Sequence, residues 1–347
     1  MIRFPRLLPA AVLLAAGFAA PAMARDLTVV SWGGAYQDAQ REVYFEPFKA
    51  ATGIPMHDES WDGGIGVLRA KVEGGDSSWD VVQVESEELA LGCEEGLFQP
   101  LNWDAIGGRD AYLPAAVNDC GVGAIVYNFI LAYDGAKFKD GPKSWADFWD
   151  VKKFPGKRAM RQGPKTNLEI ALMADGVAPA DVYKVLGTPE GVDRAFRKLD
   201  ELKPNIVWWT AGAQPPQMLA SGDVVMATAY NGRIAAANVA DKKDFRIVWK
   251  GSLFTIDSWV ILKGSPNTDA ATKFLAFVGK PENQAKLPTK IAYGVTSKAA
   301  TTMIPANFLP GLPTNPDNIS QAIELNPEFW LENIDSLTER FNTWAAK

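Results

Sequence analysis

Trp32-Gly33-Gly34 follows the apolar run Leu27–Val30 and precedes a helical pattern that starts at Tyr36. Two glycines at a strand-to-helix turn let backbone come close to a ligand, with the helix N-terminus aimed at it. A phosphate would call for G-x-x-x-x-G-K-[ST] or G-x-G-x-x-G, and "SWGGAYQD" lacks both the lysine and the third glycine. The turn therefore suits something flat or small, or is simply a tight turn over a core tryptophan. His57 is the only histidine, which leaves Ser-His-Asp or Cys-His machinery almost no base; an edge or surface position is expected for it. One histidine and no C-x-x-C leave no zinc site of ordinary spacing, and no Tyr-Tyr pair offers a ferric site. Glu85/Glu87 and Glu94/Glu95 are the carboxylate pairs a glycosidase could use, although Glu94/Glu95 reads as a solvated helix face. Nothing here demands catalysis, a metal or a cofactor.

The elements that must position such residues follow a clear order. Leu27–Ser31 reads as a strand, 36–51 as a helix, 54–59 as a strand, 64–74 as a helix, and "DVVQV" (80–84) as a short buried strand. Strands alternating with helices argue a parallel, doubly wound sheet, whose ligands lie beyond the carboxyl ends of the strands. Trp32, Gly33, Gly34, Glu85 and Ser86 all fall at such ends. "VGAIVYNFILAYD" reads as one or two strands, and "RIVWKG" and "LFTIDSWVILKGSPN" as two more. Trp208 and Trp209 are adjacent on a strand and must point to opposite faces. Trp145, Phe148 and Trp149, at helical spacing, read as core.

The chain opens MIRFPRLLPAAVLLAAGFAAPAMA, with a basic start, an apolar stretch and an A-x-A site. This is the pattern of a secretory signal over 1–24, with a membrane anchor as the alternative. The mature protein is expected to be exported and soluble. Its net charge of −6 disfavours nucleic acid and anionic membrane as partners. Cys93 and Cys120, the two cysteines, then form one disulfide worth about 3–4 kcal/mol by loop closure, or else stay as buried thiols.

Taken together, "WGGAYQDA…FKAATGI", "WDVVQVES…GLFQPL", "YNGR", "FTIDSWVI" and "YGVT" resemble the periplasmic solute-binding proteins of ABC importers, and among them the spermidine/putrescine-binding proteins. The resemblance implies a type II two-lobe α/β fold, each lobe a mainly parallel sheet flanked by helices, with a ligand cleft between. Lobe 1 would comprise 25–133 plus about 254–302, and lobe 2 134–253 plus about 303–347. It implies a periplasmic monomer that hands its ligand to an inner-membrane permease. Carried over by motif, the cleft residues are Trp32 with Gly33, Gly34 and Tyr36; Glu85 and Ser86; Tyr230; Asp257, where the family's tryptophan-x-aspartate has become Thr255-Ile256-Asp257; and Tyr293. Trp209 and Gln214 follow as second-lobe candidates, with Asn167 and Glu169 behind them.

The departure from the family is Arg233, in a segment reading Tyr230-Asn231-Gly232-Arg233. A polyamine site needs carboxylates and aromatic faces, and a guanidinium facing an ammonium would oppose binding. An arginine suits a carboxylate, held by two parallel hydrogen bonds. Asp257 and Arg233 would thus select a zwitterion, such as the ω-amino acid 4-aminobutyrate. Alternatively, Arg233 pairs with Asp223 or Asp241 outside the cleft, and Glu85 serves as the second carboxylate of a diamine site. An exported enzyme on a similar scaffold, or a sugar binder using the tryptophans, are the readings from other classes.

Overall fold

In the computed structural model, which describes residues 25–76 and 78–347, nine strands join in one sheet. They are β1 (Leu27–Ser31), β2 (Met56–Ser60), β3 (Val81–Val84), β4 (Gly121–Asp134), β5 (Arg158–Arg161), β6 (Ile206–Trp209), β7 (Met226–Tyr230), β8 (Phe245–Ile261) and β9 (Ile323–Glu324). The order is β2-β1-β3-β8-β4-β7-β5-β6, with β9 beside β8. The expected signal sequence, 1–24, lies outside the described residues.

Every residue of β1 and β3 is buried, as apolar strands covered on both faces must be. β1 runs parallel to β2 and β3, and β5 parallel to β6 and β7, so each end of the sheet is a small parallel unit flanked by helices. The centre is antiparallel, because β8 opposes both β3 and β4, and β4 opposes β7. His57 sits exposed on β2, the edge strand.

Two long strands cross the molecule. β4 has 14 residues and takes in all of "VGAIVYNFILAYD"; β8 has 17 and fuses the two segments that read separately in the sequence. Their pairing breaks where Phe129 opposes Leu253 but Leu131 opposes Val248. Four residues of β8, 249–252, are thus set against Ile130 alone, and Gly251 takes φ 71° there. The apolar core divides at the same place. Tyr127 belongs with Val29, Tyr36 and Trp259, whereas Phe129 and Leu253 belong with Trp209, Phe196 and Trp330. Asn128, fully buried between them, donates its backbone N–H to Asn231 Oδ1 (3.0 Å) and its Nδ2 to Ser252 Oγ (2.7 Å).

On β4 the change of core falls at Asn128, and Tyr133 packs in the second core. The stretch from 303 does not join that core at once: Ile304 and Leu312 pack with Ala285, Val295 and Ala300. The chain rejoins the second core at Leu325, and the closing helix Pro327–Ala345 buries Trp330, Leu337 and Phe341 there. That helix starts cleanly, with Pro327 in its first turn and the Asn326 side chain accepting from Phe329 N–H at 3.0 Å. Trp145, Phe148 and Trp149 are core, as their spacing predicts. Cys93 and Cys120 are bonded, tying the end of the helix Ser86–Glu94 to the start of β4.

Candidate functional site

The turn after β1 is shaped by an arginine from the other side of the molecule. Gly33 and Gly34 both take left-handed φ values, 60° and 55°. A Cβ on Gly34 would stand 2.8 Å from Nη1 of Arg233. Arg233 lies in the first turn of the helix Asn231–Asp241, directly after β7. Its Nη1 donates to the Gly33 carbonyl (2.7 Å) and its Nη2 to that of Trp32 (2.8 Å). Gly34 therefore makes room for a contact between the lobes, to which Gly33 lends its carbonyl. Gly34→Ala combines a disfavoured φ with this clash, about 1–3 kcal/mol by comparable strained positions. It is expected to weaken ligand binding about 10- to 100-fold, as measured by titration calorimetry.

Arg233 is 4 % exposed and lines the cavity, but not with the free fork that the sequence suggested. Both terminal nitrogens are taken by backbone carbonyls, and neither Asp223 nor Asp241 is its partner. Its Nε is buried without a hydrogen-bond partner.

The cavity between the lobes spans about 440 Å³ of empty space, its opening to solvent included. β1 and β2 are paired in register at Ser31 and Ser60, so the following Trp32 and Trp61 emerge side by side. They stack at 5.2 Å with 20° between planes. The facing wall is phenolic: Tyr36 and Tyr127 each meet Tyr293 edge-on, at 5.1 and 6.3 Å, and Tyr127 meets Tyr230 at 5.4 Å. Asp257 and Ile125, opposite each other on β8 and β4, complete the lining near the crossing.

Asp257 is buried, and its Oδ2 accepts from Gln83 Nε2 at 3.2 Å while Oδ1 has no partner. Burial, then the charge of Glu85, push its pKa well above the usual carboxylate range. The Trp32 indole N–H is likewise buried and unpartnered. The cavity lining thus contributes three unmet polar atoms: one carboxylate acceptor, one guanidinium donor and one indole donor.

Glu85 also lines the cavity, at the N-cap of the helix Ser86–Glu94, yet it is already neutralised. Arg161 Nη1 reaches its Oε1 at 2.9 Å, and Lys165 Nζ bonds both Glu85 and Glu87. Burial favours its protonated form, but Arg161 and Lys165 outweigh that and hold it well below the usual range. A diamine site with Glu85 as its second free carboxylate is therefore not what the fold presents. Ser86 stands off the wall, its Oγ accepting from Thr255 Oγ1 at 3.3 Å.

Trp209 does not reach the cavity. It is 1 % exposed, packed against Phe129 and Tyr230, so it backs the wall instead of forming it. Trp208, on the other face of β6, packs on Phe341 and Trp344. Gln214 acts through the loop before it: its Oε1 accepts from the N–H groups of Thr210 and Ala211, at 2.8 and 2.9 Å, and Thr210 and Gly212 line the cavity. Asn167 Nδ2 bonds the carbonyls of Arg161 and Gly163, and Glu169 is buried against Tyr183 and Trp330, both behind the cleft.

Of the lining residues, sequence reading missed Trp61, Asp62, Ile125, Tyr127, Arg161 and Gly212. For Trp61 a signal was there: Ser60-Trp61-Asp62-Gly63-Gly64 repeats, with one insertion, Ser31-Trp32-Gly33-Gly34. Among the described residues no group of three or more His, Cys, Asp or Glu could hold a metal ion, and no helix is long and apolar enough to cross a membrane.

Residues 44–314 match the family described as bacterial extracellular solute-binding protein. The chain is 48 % identical to a gamma-aminobutyric acid-binding protein of Pseudomonas aeruginosa over 96 % of its own length and 95 % of that protein's. The solved structure of MotA from A. tumefaciens B6, in complex with glucopine, superposes with a TM-score of 0.87 at 30 % identity, covering 92 % of this chain and 99 % of that one. The Atu4243 GABA receptor superposes with a TM-score of 0.81 at 33 % identity, covering 93 % and 98 %. These relatives are solute-binding proteins rather than enzymes. With a matched family, a two-lobe fold and an aromatic cavity between the lobes, the chain belongs to the bacterial extracellular solute-binding proteins.

Proposed function

We propose that the protein is the periplasmic capture subunit of an ABC importer and that its ligand is 4-aminobutyrate or a close ω-amino acid. The observation that carries this reading is the set of unmet atoms in the cavity: Asp257 Oδ1 for an ammonium, Arg233 Nε and the Trp32 indole N–H for a carboxylate. The charge balance agrees. Glu85 and Glu87 are offset by Arg161 and Lys165, which leaves Asp257 and Arg233 as the buried pair for the ligand, Asp257 ionising when an ammonium meets it, with Asp62 solvent-exposed on the lining. Arg233 sits in the first turn of an 11-residue helix, whose positive end also favours a carboxylate. The indoles and phenols shield the methylene chain from water and offer their faces to the ammonium. Gamma-aminobutyric acid, which the Pseudomonas relative binds by name, fits the same pattern.

Mechanistically, the ligand selects the shut form because contacts from both lobes exist only there. Trp32, Tyr36 and Asp257 come from one lobe, Tyr230 and Arg233 from the other, and the lobes meet at Asn128 and Ser252. A membrane permease would then recognise the shut surface, with the protein acting as a monomer. Thermal-shift and calorimetric titration should show that 4-aminobutyrate raises the melting temperature with concentration while putrescine does not. Tighter binding of putrescine, or no binding of either, would overturn the reading.

A further inference from the structure

Arg161 is held in an unusual place for a structural arginine. It is the last residue of β5, its guanidinium lines the ligand cavity, and it crosses the cleft to Glu85 with bonds of 2.9 and 3.2 Å. The phenol hydroxyls of Tyr127 and Tyr230 each stand 3.4 Å from the same carboxylate. An acid between two phenols, in a cavity walled by indoles, is what a cation needs for recognition. In this chain the cation is part of the protein. Lys165 fills the remaining side of Glu85 from the flank, where it also bonds Glu87.

From this arrangement we propose that Arg161, supported by Lys165, is a specificity-determining residue: its guanidinium occupies the subsite for a second ammonium and so excludes diamines. The inference deepens the proposed function, on which it rests for the ligand of the unaltered protein. A diamine entering the shut cavity could place one ammonium on Asp257, but its other end would meet the cations Arg161 and Arg233; the buried lining acid Glu85 is already held by Arg161 and Lys165, and the remaining lining acid, Asp62, is solvent-exposed. Removing the Arg161 charge leaves Glu85 and Glu87 sharing Lys165 alone, one negative charge in excess. It also vacates room beside Glu85, so that a four-carbon diamine would find an acid at each end.

Arg161→Met is expected to bind putrescine at least 100-fold more tightly than the unaltered protein does, as measured by titration calorimetry. Arg161→Met/Glu85→Gln should lose that gain, because the acid that accepts the second ammonium is gone. Circular dichroism and melting curves establish that each variant is folded. If Arg161→Met does not fold, Lys165→Met, which withdraws a cation without opening the cavity wall, should shift preference toward putrescine about tenfold. The proposal is overturned if the folded variants gain no putrescine binding, or if the double variant keeps the gain. Failure of the unaltered protein to bind 4-aminobutyrate would count against the proposed function alone, since the putrescine gain is read separately.

Discussion

Asp257→Asn is expected to abolish ligand-dependent stabilisation while raising the melting temperature of the empty protein near neutral pH. The two effects share one cause. Asp257 is buried with one oxygen unpartnered, and burial and Glu85 raise its pKa far above the usual range. A group whose folded pKa is raised favours folding fully below its unfolded pKa, and that contribution is lost as pH rises through the folded pKa. The empty protein should therefore lose stability from the ordinary carboxylate range upward, and the asparagine variant should lose less over the same range. Ligand reverses the sign, because an ammonium needs the ionised carboxylate. Removing one member of a buried pair costs about 3–5 kcal/mol, or roughly two to nearly four orders of magnitude in affinity. Binding to the unaltered protein should also release protons below the raised pKa and weaken as pH falls. Calorimetry in buffers of different ionisation heat reads the proton release. An unchanged ligand-induced shift in the variant would remove Asp257 from the site.

Arg233→Ala should be nearly as damaging, and for ligands of any charge. Its terminal nitrogens hold the carbonyls of Trp32 and Gly33 across the cleft. Hydrogen bonds to a charged group contribute about 1.5–3 kcal/mol each, so at least a 100-fold loss is expected, mainly as faster dissociation. Arg233→Lys should recover only part, since one ammonium cannot reproduce two parallel donors from a rigid plane. Stopped-flow tryptophan fluorescence measures the dissociation rate. If only zwitterions weakened and dissociation of other ligands stayed unchanged, the clamp between lobes would play no part in retention.

Much of this was visible in the linear chain. Trp32 and Tyr36 of the β1 turn, the aspartate on a late strand and the tyrosine before "GVT" all line one cavity. They sit at strand ends or on a strand face, where local pattern carries position; Gly33 and Gly34, expected in the cleft, lie off the lining and against Arg233 instead. Arg161 was not legible because its meaning lies in a partner 76 residues away, and a basic residue at a strand end is otherwise unremarked. Trp209 was misplaced toward the ligand because alternation on a strand tells that neighbours diverge, not which face is wet. The unity of β4 and β8 was hidden for a related reason. A long apolar run reads alike as one strand through two lobes or as two strands within them, and only the partner register decides.

The crossing strands also order the events of capture. Asp257 and Ile125 lie on β8 and β4, on the Trp32 side of the register break at Asn128. A solute diffusing into a parted molecule would meet the Asp257 carboxyl, the indoles and Tyr36 as one preassembled dock, with the Arg233 side swinging over it afterwards. Arrival should thus be governed by the first lobe, and residence time by the second.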